Sequence, residues 1–326
     1  MVTGELFIGN STALLTLLKD AARVAPTEAT VVVTGESGTG KSLLARWLHE
    51  QSRRANGPFV VIDCGSLPEA LLEAELFGFE RGAFTGAAAA KPGRFEAAQH
   101  GTLVLDEIAA LSPAAQAKLL RVIEERRVLR LGGSRALTLD VRLIAVTNTD
   151  LTAAVARQSF RADLFHRLNV ISLAVPALRD RPTDIPALAR HFLAQAAHRH
   201  GCPPPPLDAE ALSFLEGYDF PGNVRELRHA MEHALVTAAP GVIRREHLPQ
   251  RMTSAAALMQ HRMHKPTLAE LEATYIREVL QQVGWRKAEA ARILGISRKN
   301  LYEKLRAYGI PYQPASHTLT NPDTPA

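Results

Sequence analysis

The sequence predicts an α/β fold: a parallel sheet with helices on both faces, then helical segments and a small all-α unit. Three observations predict it. Between residues 30 and 175, five short β-branched runs alternate with helical patterns, as in a sheet built from strand–helix units. After Pro176 the strand runs stop and helical periodicity takes over. Near the end, seven Lys or Arg between Gly284 and Pro311 face only Glu289 and Glu303, an excess equal to the +5 of the whole chain.

The strand runs are TVVVT (30–34), FVVIDC (59–64), TLVLDE (102–107), VRLIAVTN (141–148) and VISLAV (170–175). Helices are expected around 184–199, 208–217 and 222–238, interrupted by the prolines 203–206, which read as loop. The expected division is an α/β unit over 1–175, helices over 176–248, a linker over 249–266, a compact helical unit over 267–312 and a disordered polar tail over 313–326.

At 326 residues the chain has room for two or three domains, and 46% hydrophobic with 22% charged residues is ordinary for a globular protein. No uninterrupted apolar run approaches the ~20 residues a membrane helix needs. The start, MVTGELFIGNSTALLTLL, lacks a basic region followed by a long apolar stretch, so no signal peptide is expected. Cys64 and Cys202 have neither a pairing pattern nor metal-ligand spacing, which suits buried thiols of a cytoplasmic protein.

GESGTGKS, running Gly35, Glu36, Ser37, Gly38, Thr39, Gly40, Lys41 and Ser42, fits G-x-x-x-x-G-K-[ST] between a strand and the helical run LLARWLHEQS. That context defines a phosphate-binding loop. Backbone N–H groups curl around phosphates, Lys41 brings charge to them, and the Ser42 hydroxyl can ligate Mg²⁺. Asp106 and Glu107 close an apolar strand, an expensive place for two carboxylates unless metal or proton transfer uses them. The alternative is a helix N-cap with a first-turn Glu. The functional reading gives Asp106 the Mg²⁺ side and Glu107 the attacking water. Asn148 ends another strand, where it can sense the terminal phosphate at the carboxyl edge of the sheet. Together these residues point to ATP hydrolysis with ATP and Mg²⁺ bound.

ERGAFTGAAAA (80–90) has neither strand alternation nor helical spacing, and it carries one lone aromatic, Phe84. With GESGTGKS, ELFGFERGAFTGA, GTLVLDEI, FRADLFHRLNV and YDFPGNVREL in this order, the chain resembles bacterial sigma-54-dependent transcription activators, which are AAA+ ATPases. The resemblance covers about residues 5–248 and the C-terminal unit. It implies an AAA+ P-loop fold with a helical lid over 176–248 and a hexameric ring. It also implies that Gly82, Ala83, Phe84, Thr85, Gly86 and Ala87 meet the sigma-54 RNA polymerase holoenzyme and remodel its closed promoter complex. By the same resemblance Arg161 and Arg167 match fingers reaching a neighbour's ATP, Arg225 matches the lid's sensor arginine, and Ile8 and Gly9 lie near adenine. Three positions depart from the family: Phe79 replaces a frequent His, Phe220 a usual Trp, and Asp63 a commoner Asn.

AEAARILGISRKNLYEKLRAYGI reads as a helix-turn-helix. Ala290 and Ala291 permit close crossing, Ser297 can cap the second helix, and Leu301 and Leu305 face inward. Arg298, Lys299, Asn300 and Lys304 are left outward for base edges and phosphates. The unit resembles a Fis-type domain, which implies enhancer DNA as partner and pairing through helix 268–283.

Two other readings compete with this one. A regulator acting without sigma-54 typically loses the loop or the phosphate site, and both are intact here. A different P-loop machine leaves the 82–87 loop without purpose. Only about thirty residues precede the phosphate loop, too few for a sensory domain: either the protein lacks one, and control is expected from a separate regulatory protein or from expression level, or the sequence is part of a longer chain. Asp63 is expected to point at Glu107, where two close carboxylates either share a proton, the favoured reading, or repel so that Glu107 is freed and hydrolysis couples more loosely to loop movement.

Overall fold

The computed structural model describes residues 7–84, 87–238, 241–254 and 267–310. The expected tail over 313–326 and most of the expected linker lie outside the described residues. Two compact units emerge, Met1–Gln195 with Phe220–His229, and Ala196–Asp219 with Ala230–Ala326.

The first unit is built on a five-stranded parallel sheet of β1 (Val31–Thr34), β2 (Phe59–Asp63), β5 (Thr102–Asp106), β8 (Arg142–Thr147) and β9 (Ile171–Ala174), in the order β2-β5-β8-β1-β9. These are the five strands expected from sequence. Alternate residues of each strand feed opposite faces. Val31, Val33, Val104, Ile144 and Val146 pack on α1 (Thr12–Val24) and α2 (Lys41–Glu50). Val32, Leu103, Leu105, Leu143 and Ala145 pack on the other side with α3 (Glu69–Phe77), α4 (Arg94–Ala97), α5 (Pro113–Glu125), α6 (Leu151–Ala156) and α7 (Ala162–Leu168). Central β8 is buried along its whole length, as a strand covered on both faces must be.

Buried Arg142, on β8, donates to the carbonyls of Ala25 (2.6 Å) and Val24 (3.2 Å), closing the end of α1. A charged side chain there satisfies carbonyls that the helix cannot pair itself.

Two small hairpins extend the unit: β3 (Gly78–Phe79) with β4 (Lys91–Pro92), and β6 (Arg127–Leu129) with β7 (Ala136–Thr138). Neither is visible in the sequence, because two or three residues cannot display an alternating pattern. Phe79 bridges to Leu131, which joins one hairpin to the other.

Helices α8 (Ile185–Arg199), α9 (Ala209–Gly217) and α10 (Asn223–Thr237) follow in the expected all-helical region, and a single turn, α11 (Gln250–Thr253), falls where a linker was expected. Cys202, expected to be buried, is instead exposed in the turn after α8, ahead of the proline run. Cys64 is buried, and its thiol is pushed up to about 12, first by burial and then by neighbouring Asp63, Asp106 and Glu107. It is therefore no nucleophile.

The C-terminal helices are α12 (Leu268–Gln282), α13 (Lys287–Ile293) and α14 (Arg298–Ala307). Ile276, Val279, Leu280, Val283, Ala290, Ala291, Leu301, Leu305 and Ile310 form their own core. Among the described residues, no helix is long and apolar enough to cross a membrane.

Candidate active site and DNA-binding unit

Parallel strands end together, and here their carboxyl ends align. Thr34 pairs with Thr147, and Asp63 pairs with Asp106. Since β8 lies between β1 and β5, Asn148 stands between the phosphate loop and the Asp106–Glu107 pair. Its N–H donates to Glu107 Oε2 at 3.3 Å. Glu107 itself has φ 51°, an uncommon backbone state for a residue with a Cβ. Such strain persists where the surroundings fix it, and here Glu107 N donates to Asp106 Oδ1 at 3.0 Å.

Lys41 opens α2 and is buried, its Nζ donating to Glu36 O at 3.0 Å. Burial pushes its ammonium down, while Glu107 and then Asp106 oppose that. Ser42 Oγ donates to Asp106 Oδ2 at 3.2 Å, so the two expected Mg²⁺ groups already meet. Ser37, Gly38, Gly40, Lys41, Ser42, Asp106, Glu107, Arg225 and Arg228 line one cavity of about 310 Å³. Among the described residues no cluster of three or more His, Cys, Asp or Glu could hold a metal. One hydroxyl and one carboxylate suit Mg²⁺ completed by substrate phosphates and water, which is how that ion usually binds.

A clamp that sequence reading missed fixes the loop. Buried Asn223 has φ 51° and donates Nδ2 to Glu36 Oε2 (3.0 Å) and Ser37 O (3.1 Å), while its Oδ1 accepts from Leu178 N (2.8 Å). Arg179 holds both oxygens of Glu36, with Nη1–Oε2 at 2.8 Å. Arg225 Nη1 donates to Ser37 Oγ at 2.9 Å. Gly38 sits so tightly under this segment that an added Cβ would stand 2.4 Å from Gly222 O, and its φ is +78° besides. Arg181, buried and pushed down by desolvation, donates Nη2 to Thr39 O at 3.0 Å. The only sequence signal for Asn223 was its place beside Arg225 in GNVREL.

Hydrogen bonds from Arg179, then Asn223, pull the Glu36 carboxyl from 4.5 to about 2. The folded chain therefore holds this carboxylate ionised more firmly than the unfolded chain does. Its stabilisation is complete above the unfolded value and drains away as pH falls through the folded one. Glu36→Gln is expected to flatten the slope of Tm against pH between about pH 4.5 and pH 2. Thermal melts across that window check it, and an unchanged slope contradicts the clamp.

Asp63 does not do what the sequence led us to expect. Its Oδ1 accepts from Gly65 N at 2.9 Å, an Asx turn, and no hydrogen bond links it to Glu107. An ionised carboxylate accepts only, so a nearby N–H satisfies it better than a second carboxylate can.

Arg161 and Arg167 lie on α7 or at its start, exposed, and neither lines this cavity. Arg161 forms a fork with Asp163, Nε–Oδ1 3.0 Å and Nη2–Oδ2 2.7 Å. In the loop, Gly82 N donates to Ala87 O (2.9 Å) and Ala87 N to Phe84 O (3.0 Å). Ala87, expected in the contact set, is buried and closes the stem. Ala83 lies over Gly132 of the second hairpin, and Phe84 is 42% exposed. Thr85 and Gly86 lie outside the described residues.

In the C-terminal unit Ser297 caps α14, accepting from Asn300 N at 3.1 Å. Arg298, Lys299 and Asn300 are exposed in its first turn. Lys304 departs from expectation: it is half-buried, with Nζ 2.7 Å from Glu272 Oε1, and Tyr308 OH donates to the other oxygen at 2.5 Å. A carboxylate on α12 lies within reach of this turn of α14, which the sequence spacing did not reveal.

Residues 7–174 match the sigma-54 interaction domain, 179–265 the AAA+ ATPase lid domain and 267–308 the Fis family of bacterial regulatory proteins. The chain is 45% identical over 309 residues to the regulatory protein AtoC of Escherichia coli, covering 92% of this chain and 67% of that protein. It is 42% identical over 312 residues to the sigma-54-dependent transcriptional activator SfnR of Pseudomonas putida, covering 90% and 85%. NtrX of Brucella abortus, crystallised with ADP, superposes with a TM-score of 0.73 at 33% identity, covering 93% of this chain and 70% of that one. Its ATP complex gives 0.72 at the same identity and coverage. With an intact phosphate loop, paired strand-end carboxylates and a capped helix-turn-helix, the chain belongs to the sigma-54-dependent transcriptional activators, AAA+ ATPases that carry a Fis-type DNA-binding domain.

Proposed function

We propose that this activator binds enhancer DNA and assembles into a ring that spends ATP hydrolysis on opening the sigma-54 polymerase promoter complex. The observation that carries the reading is the joint placement of Lys41, Ser42, Asp106, Glu107 and Arg225 around one cavity, together with a separate loop bearing Phe84. Lys41 and the N–H groups of the phosphate loop bind and orient the triphosphate. Ser42 and Asp106 would hold Mg²⁺, which supplies charge neutralisation on the phosphate oxygens. Glu107, steadied by Asn148 N, takes a proton from the attacking water as its oxygen bonds the γ-phosphorus and the bond to the β–γ bridging oxygen breaks, ADP leaving with that electron pair.

Arg161 and Arg167 are absent from the cavity lining, which suits fingers that serve a neighbouring copy. A guanidinium from the next subunit stabilises charge on the transferred phosphoryl group. Pairs of C-terminal units, each presenting Arg298, Lys299 and Asn300, read the enhancer. A regulatory protein acting on the ring fits the same scheme.

The ring is tested by mixing. Arg161→Ala and Glu107→Ala chains are each expected to be nearly inactive, a finger being worth about 10³–10⁵ in rate. Mixed, they form interfaces pairing an intact Glu107 with an intact Arg161, and ATPase activity returns in part. No recovery in rings proven mixed contradicts fingers acting between copies.

A further inference from the structure

Among the described residues Phe84 has one aromatic neighbour, Phe79, with ring centroids 5.0 Å apart and planes at 61°. That is an edge-to-face pair. Phe79 is well anchored: it bridges Leu131, Leu131 N donates to Gly78 O at 2.9 Å, and Glu80 N donates to Leu131 O at 2.9 Å. Beside it, Ala83 rests on Gly132, where an added Cβ would come within 2.9 Å of Ala83 Cβ. Arg130 ties the same region together, with Nη1 to Glu80 at 3.2 Å and Nη2 to Glu96 at 2.7 Å. Phe84 meanwhile stays 42% exposed, so its pose depends on a surface contact and not on burial in a core.

We infer that Phe79 is a seat for Phe84: a positioning residue that holds the contact side chain against the hairpins and so lowers its availability to sigma-54. The inference rests on the proposed role of the 82–87 loop. Any surface that takes up Phe84 must compete with the seat, and apparent affinity falls in proportion to the fraction of free Phe84. An edge-to-face ring pair weights such an equilibrium by about two- to twelvefold. An imidazole in place of Phe79 would be smaller and more polar, a weaker partner for the Phe84 ring.

The test measures binding of purified sigma-54 to the full chain loaded with ADP, for the native protein, Phe79→His and Phe79→Leu. Leu keeps most of the apolar volume, so one variant remains folded if His disturbs the hairpin. Both variants are expected to bind sigma-54 about two- to twelvefold more tightly, with ATP hydrolysis unchanged. The gain should vanish when Phe79→Leu is made on a Phe84→Leu background, which a general loosening of the hairpin would not produce. Unchanged affinity in both variants overturns the inference, and so does a gain that persists without Phe84. Failure of the underlying loop assignment looks different: Phe84→Ala alone would then bind sigma-54 and activate as the native chain does.

Discussion

Replacing Glu107 by Gln is expected to lower the rate of ATP hydrolysis by about 10²–10⁴-fold while ATP still binds. Gln keeps the size of the side chain and its acceptor toward Asn148 N, which donates to Glu107 Oε2 in the native chain. What it loses is the ability to take a proton. Nucleotide affinity depends on Lys41 and the loop held by Asn223 and Arg179; none of them hydrogen-bonds Glu107, and Asp106 still supports the Lys41 ammonium when the Glu107 charge is gone. Steady-state kinetics with a nucleotide-binding titration check both halves. Hydrolysis at the native rate would remove Glu107 from its assigned role.

The second large effect concerns Phe84. Phe84→Ala is expected to reduce transcription activation to background while ATP hydrolysis stays close to native. The loop stem is closed by Gly82, Phe84 and Ala87 among themselves and borne on the hairpins, and none of the loop's described residues lines the nucleotide cavity. The substitution removes a large apolar contact surface and leaves the phosphate site whole. Parallel assays of open-complex formation and phosphate release separate the two properties. Native activation by Phe84→Ala would leave the loop without its assigned role.

How much of this could be read in the sequence follows from the physics of each element. The five sheet strands announce themselves as short β-branched runs, buried in β1, β5 and β8 and partly exposed in the edge strands β2 and β9. The phosphate loop is legible because backbone N–H groups can wrap phosphates only through a short, glycine-rich spacing. The hairpins under Phe84 are not legible, since two-residue strands have no period. Nor is the Asn223–Glu36 bond, which joins residues 187 apart and exists only once the chain has folded.

Side-chain direction is the other blind spot. Sequence places Asp63 correctly at a strand end beside Asp106, but which donor its carboxylate finds is decided by the local turn, and Gly65 N wins. The Asp63 reading changes accordingly. Asn at that position can accept from Gly65 N through its oxygen and still offer an NH₂ to Glu107, a bond the native Asp cannot donate. Lys304 shows the same limit. Its helical phase is right, yet the side chain turns to Glu272, a partner the sequence spacing did not reveal.

The central claim is that this chain converts ATP hydrolysis into opening of sigma-54-bound promoters. The direct measurement is strand opening on a sigma-54 promoter with an upstream enhancer, using purified polymerase, sigma-54 and this chain. Opening should appear with hydrolysable ATP, and should fail with ADP, with a non-hydrolysable analogue, and with Glu107→Gln in place of the native chain. Opening that is equal with and without hydrolysis, or none with ATP while the ATPase runs at full rate, contradicts the account.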